Sequence, residues 1–335
     1  MADIIKGYAR STSHLPIIPN DILKRFHVDE AADTRFASNA RLLQSIWRER
    51  MGLEAGTHQR RDGRSRILGS RLAPMDATKG RNFLTPDIAR IVYREVAYRE
   101  IGALIDEQRL WGNLLSSQPL TFNLFARCRA DLKHATSLFS LLFPDFMCRV
   151  SDIAFEHSPG RGDPAFLGDG TAFDLFVSGA AVDGSPAFIA VEVKYAETMH
   201  QPLRGARQRY RELLLEQHLH ARPEAPILVA ETLAQFTAEH LMAALIRDRM
   251  GRKARGLFVV IAPAQNREVW DAIELYASHV RHDAPVAFGA ITLDTVIEAI
   301  EQIEQDHLAA RLRARYTDFT PIHALIDDWE PFAEG

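Results

Sequence analysis

Cysteine is scarce. The chain has only Cys128 and Cys148, and neither belongs to a C-x-x-C pair, which excludes a zinc ribbon and a disulfide framework. Flanked by Leu124, Phe125, Phe146 and Met147, both read as reduced core thiols. The first twenty residues hold no apolar block of signal-peptide type, and no run approaches ~20 uninterrupted apolar residues, so no membrane span is expected. There is no G-x-x-x-x-G-K loop, so no nucleotide cofactor is expected. Gly160-x-Gly162-x-x-Ala165 is no dinucleotide fingerprint, because Asp163-Pro164 interrupts it and a strand pattern follows it. His218 and His220 face different ways on a helix, which argues against a zinc pair. Charge of one sign is also missing: 40 basic residues stand against 44 acidic, a net charge of -4. That excludes a uniformly basic, histone-like surface and leaves room for a local basic groove. A cytoplasmic location is the expectation.

What is present is an ordinary globular composition with two kinds of hydrophobic period. After an irregular start, residues 31–51 have one apolar helical face, carried by Phe36, Leu43, Ile46 and Trp47. Residues 52–70 read as a Gly- and Arg-rich loop, containing Arg60, Arg61, Arg64 and Arg66, with Arg71 just beyond. Such a segment is either a solvated loop or a mobile basic arm that grips phosphates. Thr85-Pro86-Asp87 predicts a helix start, with the helix running to about Leu110. A second helix is expected over 120–142. Strands then follow at 150–155, 172–177 and 186–195, the last two separated by Asp183-Gly184. A helix over 203–220 comes next, then strands at 227–230, 256–262 and 286–291, alternating with helices at 234–250, 266–280 and 293–315. This order predicts an α/β fold with a mixed sheet flanked by helices. A mostly helical N-terminal extension is expected over 1–112 and the main domain over 113–335.

One constellation stands out. In Phe188-Ile189-Ala190-Val191-Glu192-Val193-Lys194-Tyr195, side chains alternate faces, so Glu192 and Lys194 point the same way from an otherwise apolar strand. A strand so apolar is expected at the centre of its sheet, where two charges are costly unless they pair or bind something. On a solvated edge strand the same pair would mean nothing, but the apolar flanks argue against an edge. Asp174 lies between Phe173 and Leu175 in the neighbouring strand. A hairpin would bring it to Glu192, and two close carboxylates favour a hard divalent cation such as magnesium or manganese.

Asp174 followed by Glu192-Val193-Lys194 resembles the D…ExK signature of the PD-(D/E)XK nuclease superfamily, and the order helix, three strands, helix, strand resembles its restriction-endonuclease-like core (αβββαβ). Segments between about Gly80 and Glu197, among them Asn82-Phe83-Leu84, Leu115-Ser116-Ser117-Gln118-Pro119 and Phe155-Glu156-His157-Ser158-Pro159, are similar to a bacterial family grouped with restriction endonucleases. The resemblance implies Asp174, Glu192 and the Val193 carbonyl as ligands to Mg2+ or Mn2+, and Lys194 as the catalytic lysine. It departs from the nominal pattern where Phe173 stands in place of the Pro. The Gln-x-x-x-Tyr of RecB-type relatives is also absent, since Gln208 is followed by Glu212 at that spacing.

Around this centre, Glu156 is a candidate further metal ligand and Gln118 a candidate contact to the scissile phosphate. Glu197 is a weaker candidate. Arg204, Gln208 and Arg211 share one helical face, opposite Leu203, Tyr210 and Leu214, and are candidates for holding DNA phosphates. The reading is a metal-dependent DNA endonuclease of restriction or defence, with a homodimer supplying two sites for cutting both strands. A repair or recombination nuclease, or a non-catalytic nucleic-acid-binding scaffold, remains open at this point.

Overall fold

A computed structural model describes residues 4–6, 15–59, 63, 65–99, 103–199, 207–303 and 307–329. Its strands are β1 (Ile4–Lys6), β2 (Ala55–Gln59), β3 (Ser65–Leu72), β4 (Met147–His157), β5 (Phe173–Ala181), β6 (Pro186–Val193), β7 (Arg255–Ala262) and β8 (Val286–Thr292). The main sheet is mixed. β4, β5 and β6 are antiparallel neighbours, β6, β7 and β8 run parallel, and the short β1 adds in parallel at the β8 edge. The sequence of elements from the Ser117–Ala130 and Leu132–Leu142 helices through β4, β5, β6, the Arg207–Glu216 helix and onward to β7 is the expected restriction-endonuclease-like core.

β6 lies between β5 and β7, and every residue after Pro186 is buried. This explains its unbroken apolar run: a strand covered on both faces has no solvent side to mark with polar residues. On one face, Leu175, Val177, Ile189, Val191 and Val193 pack with the helices Arg35–Arg50, Ser117–Ala130, Leu132–Leu142, Leu293–Ile303 and Leu308–Tyr316. On the other, Phe176, Phe188, Ala190, Phe258 and Val260 pack with Arg207–Glu216, Glu231–Met250 and Arg267–Ala277. The first face draws on both ends of the chain, from Ile22, Phe36 and Leu43 to Leu312 and Ile322, so the N-terminal residues share its core. None of the described helices is long and apolar enough to cross a membrane.

Four local expectations need correcting. Residues 52–70 are not a loop: Ala55–Gln59 and Ser65–Leu72 form an antiparallel hairpin, with Arg66 paired to Glu30. Of its other arginines, Arg60, Arg61 and Arg64 lie outside the described residues. The helix begun by Thr85, whose hydroxyl accepts from Ile88 N–H, stops at Ala97, and a separate Glu107–Gly112 helix starts at the Asp106 cap. The helix expected over 120–142 is two helices, because Asp131 turns its carboxylate onto the N–H groups of Lys133 and His134 and caps a new start. Residues 227–230 are not a strand but part of a 3-10 turn, Pro226–Val229, whose opening proline has no N–H for a ladder.

Candidate active site

The β4–β5 register pairs Phe155 with Leu175 and His157 with Phe173, and the β5–β6 register pairs Leu175 with Val191. Carried one step, these registers set Glu156 opposite Asp174 and Asp174 opposite Glu192. Three carboxylates from three adjacent strands thus form one row across the sheet. Like charges directly opposite each other destabilise a sheet, so such a row is not a packing solution. Glu156 also has φ 50, in the left-handed region that non-glycine residues seldom occupy. A strained backbone at a buried acid, in this row, points to a constraint other than folding.

Asp174, Glu192 and Lys194 are 9%, 4% and 3% exposed, so their charges interact with little screening. Asp174 Oδ2 accepts from Val193 N–H at 2.7 Å, a bond that ties β5 to the end of β6. Lys194 Nζ lies 2.9 Å from Glu192 Oε1 and donates to Gln235 Oε1 at 2.6 Å. Gln235 Nε2 donates to Glu192 Oε1 at 2.7 Å and to Glu239 Oε1 at 2.8 Å. A fourth acid, Glu239, therefore faces the row from the Glu231–Met250 helix, and its Oε2 is buried without a partner.

These groups bound a cavity of about 360 Å³, shared with Gln118, Tyr210, Arg109 and Glu197. Its electrostatics follow from an excess of acids. Burial, then Glu192 and Glu156, push the Asp174 carboxyl well up. Burial and Glu192 push Glu156 up to about 8, against a hydrogen bond from Gln118. Burial and Glu192 push Glu239 up likewise. Burial pulls Lys194 down, but Glu192, Glu239 and Glu197 outweigh it and the ammonium is held above its ordinary value. Among the described residues no group of three or more His, Cys, Asp or Glu stands ready to hold a metal ion. The donor chemistry suits a divalent cation all the same: the donors are oxygens, four acids face one lysine, and no donor from the described residues reaches Glu239 Oε2. A larger cavity of about 820 Å³ elsewhere is lined by Arg50, Lys79, Arg81, Arg90 and Arg311 without a single acid, so size does not single out the acidic cavity.

The structure brings Asp174, Glu192, Lys194, Glu156 and Gln118 together. Gln118 is committed in part: its Oε1 accepts from Asp106 N–H at 3.2 Å and its Nε2 donates to Leu104 O at 2.9 Å. Val193 ends β6, with its side chain in the opposite core. Glu197 is a structural clamp, accepting from Ser117 N–H at 2.6 Å and Tyr195 N–H at 2.9 Å. The polar helical face is not brought in: Gln208 and Arg211 are exposed, Gln208 bonds Glu212 at 3.0 Å, and Arg204 lies outside the described residues. Tyr210, expected only as core, lines the cavity and donates to Asp169. The helix that closes the site is instead Glu231–Met250, whose Gln235 and Glu239 the sequence reading passed over. Two polar residues one turn apart on a helix buried almost all round were the available signal.

No curated protein and no solved structure matches the chain. A family model does, over residues 31–318, and with the D…ExK row in place on the mixed sheet the chain belongs to the PD-(D/E)XK nuclease superfamily.

Proposed function

We propose that this nuclease is a magnesium- or manganese-dependent deoxyribonuclease with its reacting centre at Asp174, Glu192 and Lys194. The observation that supports this best is the row of buried carboxylates beside one buried lysine in an open cavity. Asp174 and Glu192 would hold the cation, with Glu156 and the Val193 carbonyl as further ligands. When bound, the ion supplies Lewis acidity to the phosphodiester and offsets the carboxylates' repulsion. Lys194, kept protonated by its acidic neighbours, is aimed by Gln235 and stabilises charge growing on a phosphate oxygen. Gln118, which lines the cavity beside Glu156, would contact the scissile phosphate. Arg204, Gln208 and Arg211 serve as outer contacts to backbone phosphates.

The resemblance to the bacterial restriction family favours an endonuclease of restriction or defence, acting in the cytoplasm as a homodimer. Of the extension expected over 1–112, Ile22, Phe36 and Leu43 contribute to the core of the nuclease domain proposed over 113–335. The test is to incubate the protein with supercoiled plasmid, linear duplex, single-stranded DNA and RNA, each with Mg2+, Mn2+ or EDTA, beside Lys194→Met. Metal-dependent cutting of DNA that the variant lacks is the expected result. Binding without cutting in every combination would leave a scaffold.

A further inference from the structure

A second groove, of about 310 Å³, adjoins the catalytic cavity, and the two share Arg109 and Glu197 in their walls. Its arginines come from three elements: Arg41 from the Arg35–Arg50 helix, Arg71 from the end of β3, and Arg109 from the Glu107–Gly112 helix, with His58 of β2 also in the wall. Two of the three have acidic partners. Arg41 makes a two-pronged contact to Asp33 at 2.6 and 2.8 Å and reaches Ser70 Oγ at 3.0 Å. Arg109 lies 3.5 Å from Glu197. Glu30, also in the wall, is paired with Arg66.

Arg71 differs. It is half-buried, and its guanidinium has no ion pair or side-chain hydrogen bond among the described residues. Its backbone is pinned by a bridge to Asn113 and by Leu114 N–H donating to Ser70 O at 3.1 Å, so the residue cannot drift from the groove. Burial first, then Arg41 and Arg109, pull its pKa below the ordinary value, with Asp106 opposing. Partial desolvation of an unpaired cation among like charges is unfavourable, and an anion relieves it. A guanidinium matches the paired oxygens of a phosphate better than an ammonium does.

We propose that Arg71 binds a backbone phosphate of the substrate strand beside the one being cut, with Arg109 at the junction of the two cavities. The proposal rests on the nuclease reading. Arg71 is a positioning residue in it: it sets which internucleotide linkage reaches Lys194 and takes no part in the chemistry. The arginines of the β2–β3 hairpin are thereby divided, with Arg66 structural and Arg71 substrate-facing.

The experiment uses the full chain and an oligonucleotide whose cut site has been mapped. A series of substrates carries one neutral methylphosphonate each, stepped along the strand. For wild type, one position next to the cut should raise KM about tenfold, the size of a lost charged hydrogen bond. Arg71→Ala should raise KM on the unmodified strand by a similar factor, with kcat within about twofold, and should be indifferent to the methylphosphonate at that position. Arg71→Lys should recover part of the loss. An Arg71→Ala enzyme that still suffers the full methylphosphonate effect at every position overturns the assignment, and so does one that loses kcat and melting temperature without a change in KM. If wild type cuts nothing, the nuclease reading fails separately. Oligonucleotide gel shifts across salt then decide Arg71: a slope in log K against log salt smaller by about 0.9 in Arg71→Ala keeps the phosphate contact, and an unchanged slope removes it.

Discussion

Arg315 and Lys194 are both buried cations, on opposite sides of the main sheet. Arg315 Nε donates to Gln44 Oε1 at 3.0 Å, and its two terminal nitrogens reach Asn82 O and Oδ1 at 2.6 and 2.5 Å. Its guanidinium stacks 4.0 Å from the Trp47 ring, and Gln44 and Asn123 pass the network on to Tyr195 and Tyr316 hydroxyls. Its hydrogen-bond acceptors are neutral, and none of these polar atoms is left unpaired. Around Lys194 the rule is reversed. Glu156, Asp174, Glu192 and Glu239 crowd one ammonium, and Glu239 Oε2 has no partner. Buried polarity by itself therefore does not mark a site. A matched network specifies packing, whereas an unmatched one of a single sign waits for a ligand of the other.

The comparison predicts opposite outcomes for removing the two cations. Lys194→Met should lower cleavage per folded molecule by roughly 10²- to 10³-fold, as loss of one transition-state donor does, whatever its effect on melting. Equal cleavage by the variant, assayed on supercoiled plasmid, would break the assignment of Lys194. Arg315→Met should do the reverse. It strands Gln44 Oε1 and Asn82 Oδ1 and leaves Asn82 O with only the Asn123 amide as donor, and denaturant titration should show a loss of about 3 kcal/mol. Its folded fraction should keep wild-type cleavage per molecule.

Much of this was legible in advance because period-two alternation is a strong signal. Alternation sets Glu192 and Lys194 on one face, apolar flanks set their strand at the centre of the sheet, and a hairpin through Asp183-Gly184 brings Asp174 to Glu192. The helix breaks at Asp131 and Asp106 were missed because a capping aspartate overrides a continuing apolar stripe. The β2–β3 hairpin was missed because strands interrupted by Gly, Ser and Arg lack an apolar alternation, and β3 is buried by tertiary contacts with the Arg35–Arg50 helix. Gln235 and Glu239 were missed for a different reason. Their site spans from a sheet to a helix about forty residues later, and no local spacing records such a junction.

The metal gives the next test of the contrast. Manganese should raise the melting temperature of wild type, by the equivalent of about 2.7 kcal/mol at a hundred times its dissociation constant. Asp174→Ala should show little of that shift. Glu239→Gln should melt higher than wild type without metal, because it removes a buried acid from among Glu192 and its neighbours. An undiminished manganese shift in Asp174→Ala would show that the ion binds elsewhere.

The smallest expected effect concerns a third buried cluster, intermediate between the other two. Burial holds the His240 ring neutral, so Nε2, 3.0 Å from Val286 O, carries its one proton and donates it, and the bare Nδ1 accepts the Tyr276 hydroxyl at 3.0 Å. The Tyr276 oxygen then accepts from His220 Nε2, also at 3.0 Å, which leaves His220 Nδ1 bare and buried without a partner. Both rings are therefore neutral in the folded protein. Burial pushes His240 down to about 4, and burial followed by His240 and His279 pushes His220 down to about 3. Both folded values lie below the unfolded value of about 6.5, so the unfolded chain takes up protons first as pH falls. The stability these histidines contribute is complete above pH ~6.5 and is lost progressively from there toward pH ~4, at about 2 kcal/mol for each ring by pH 5. The raised carboxyls of the site act in the opposite sense, since a protonated Glu156 or Asp174 is favoured in the folded state as pH falls. The two contributions separate by mutation. The stability at pH 7 minus that at pH 5, from denaturant titrations, should be lower by about 2 kcal/mol for His220→Gln than for wild type. For Glu156→Gln the difference should be larger than for wild type. Parallel pH profiles for His220→Gln and wild type would mean that His220 is charged, or solvated, in the folded protein, and that its bare nitrogen already has a partner.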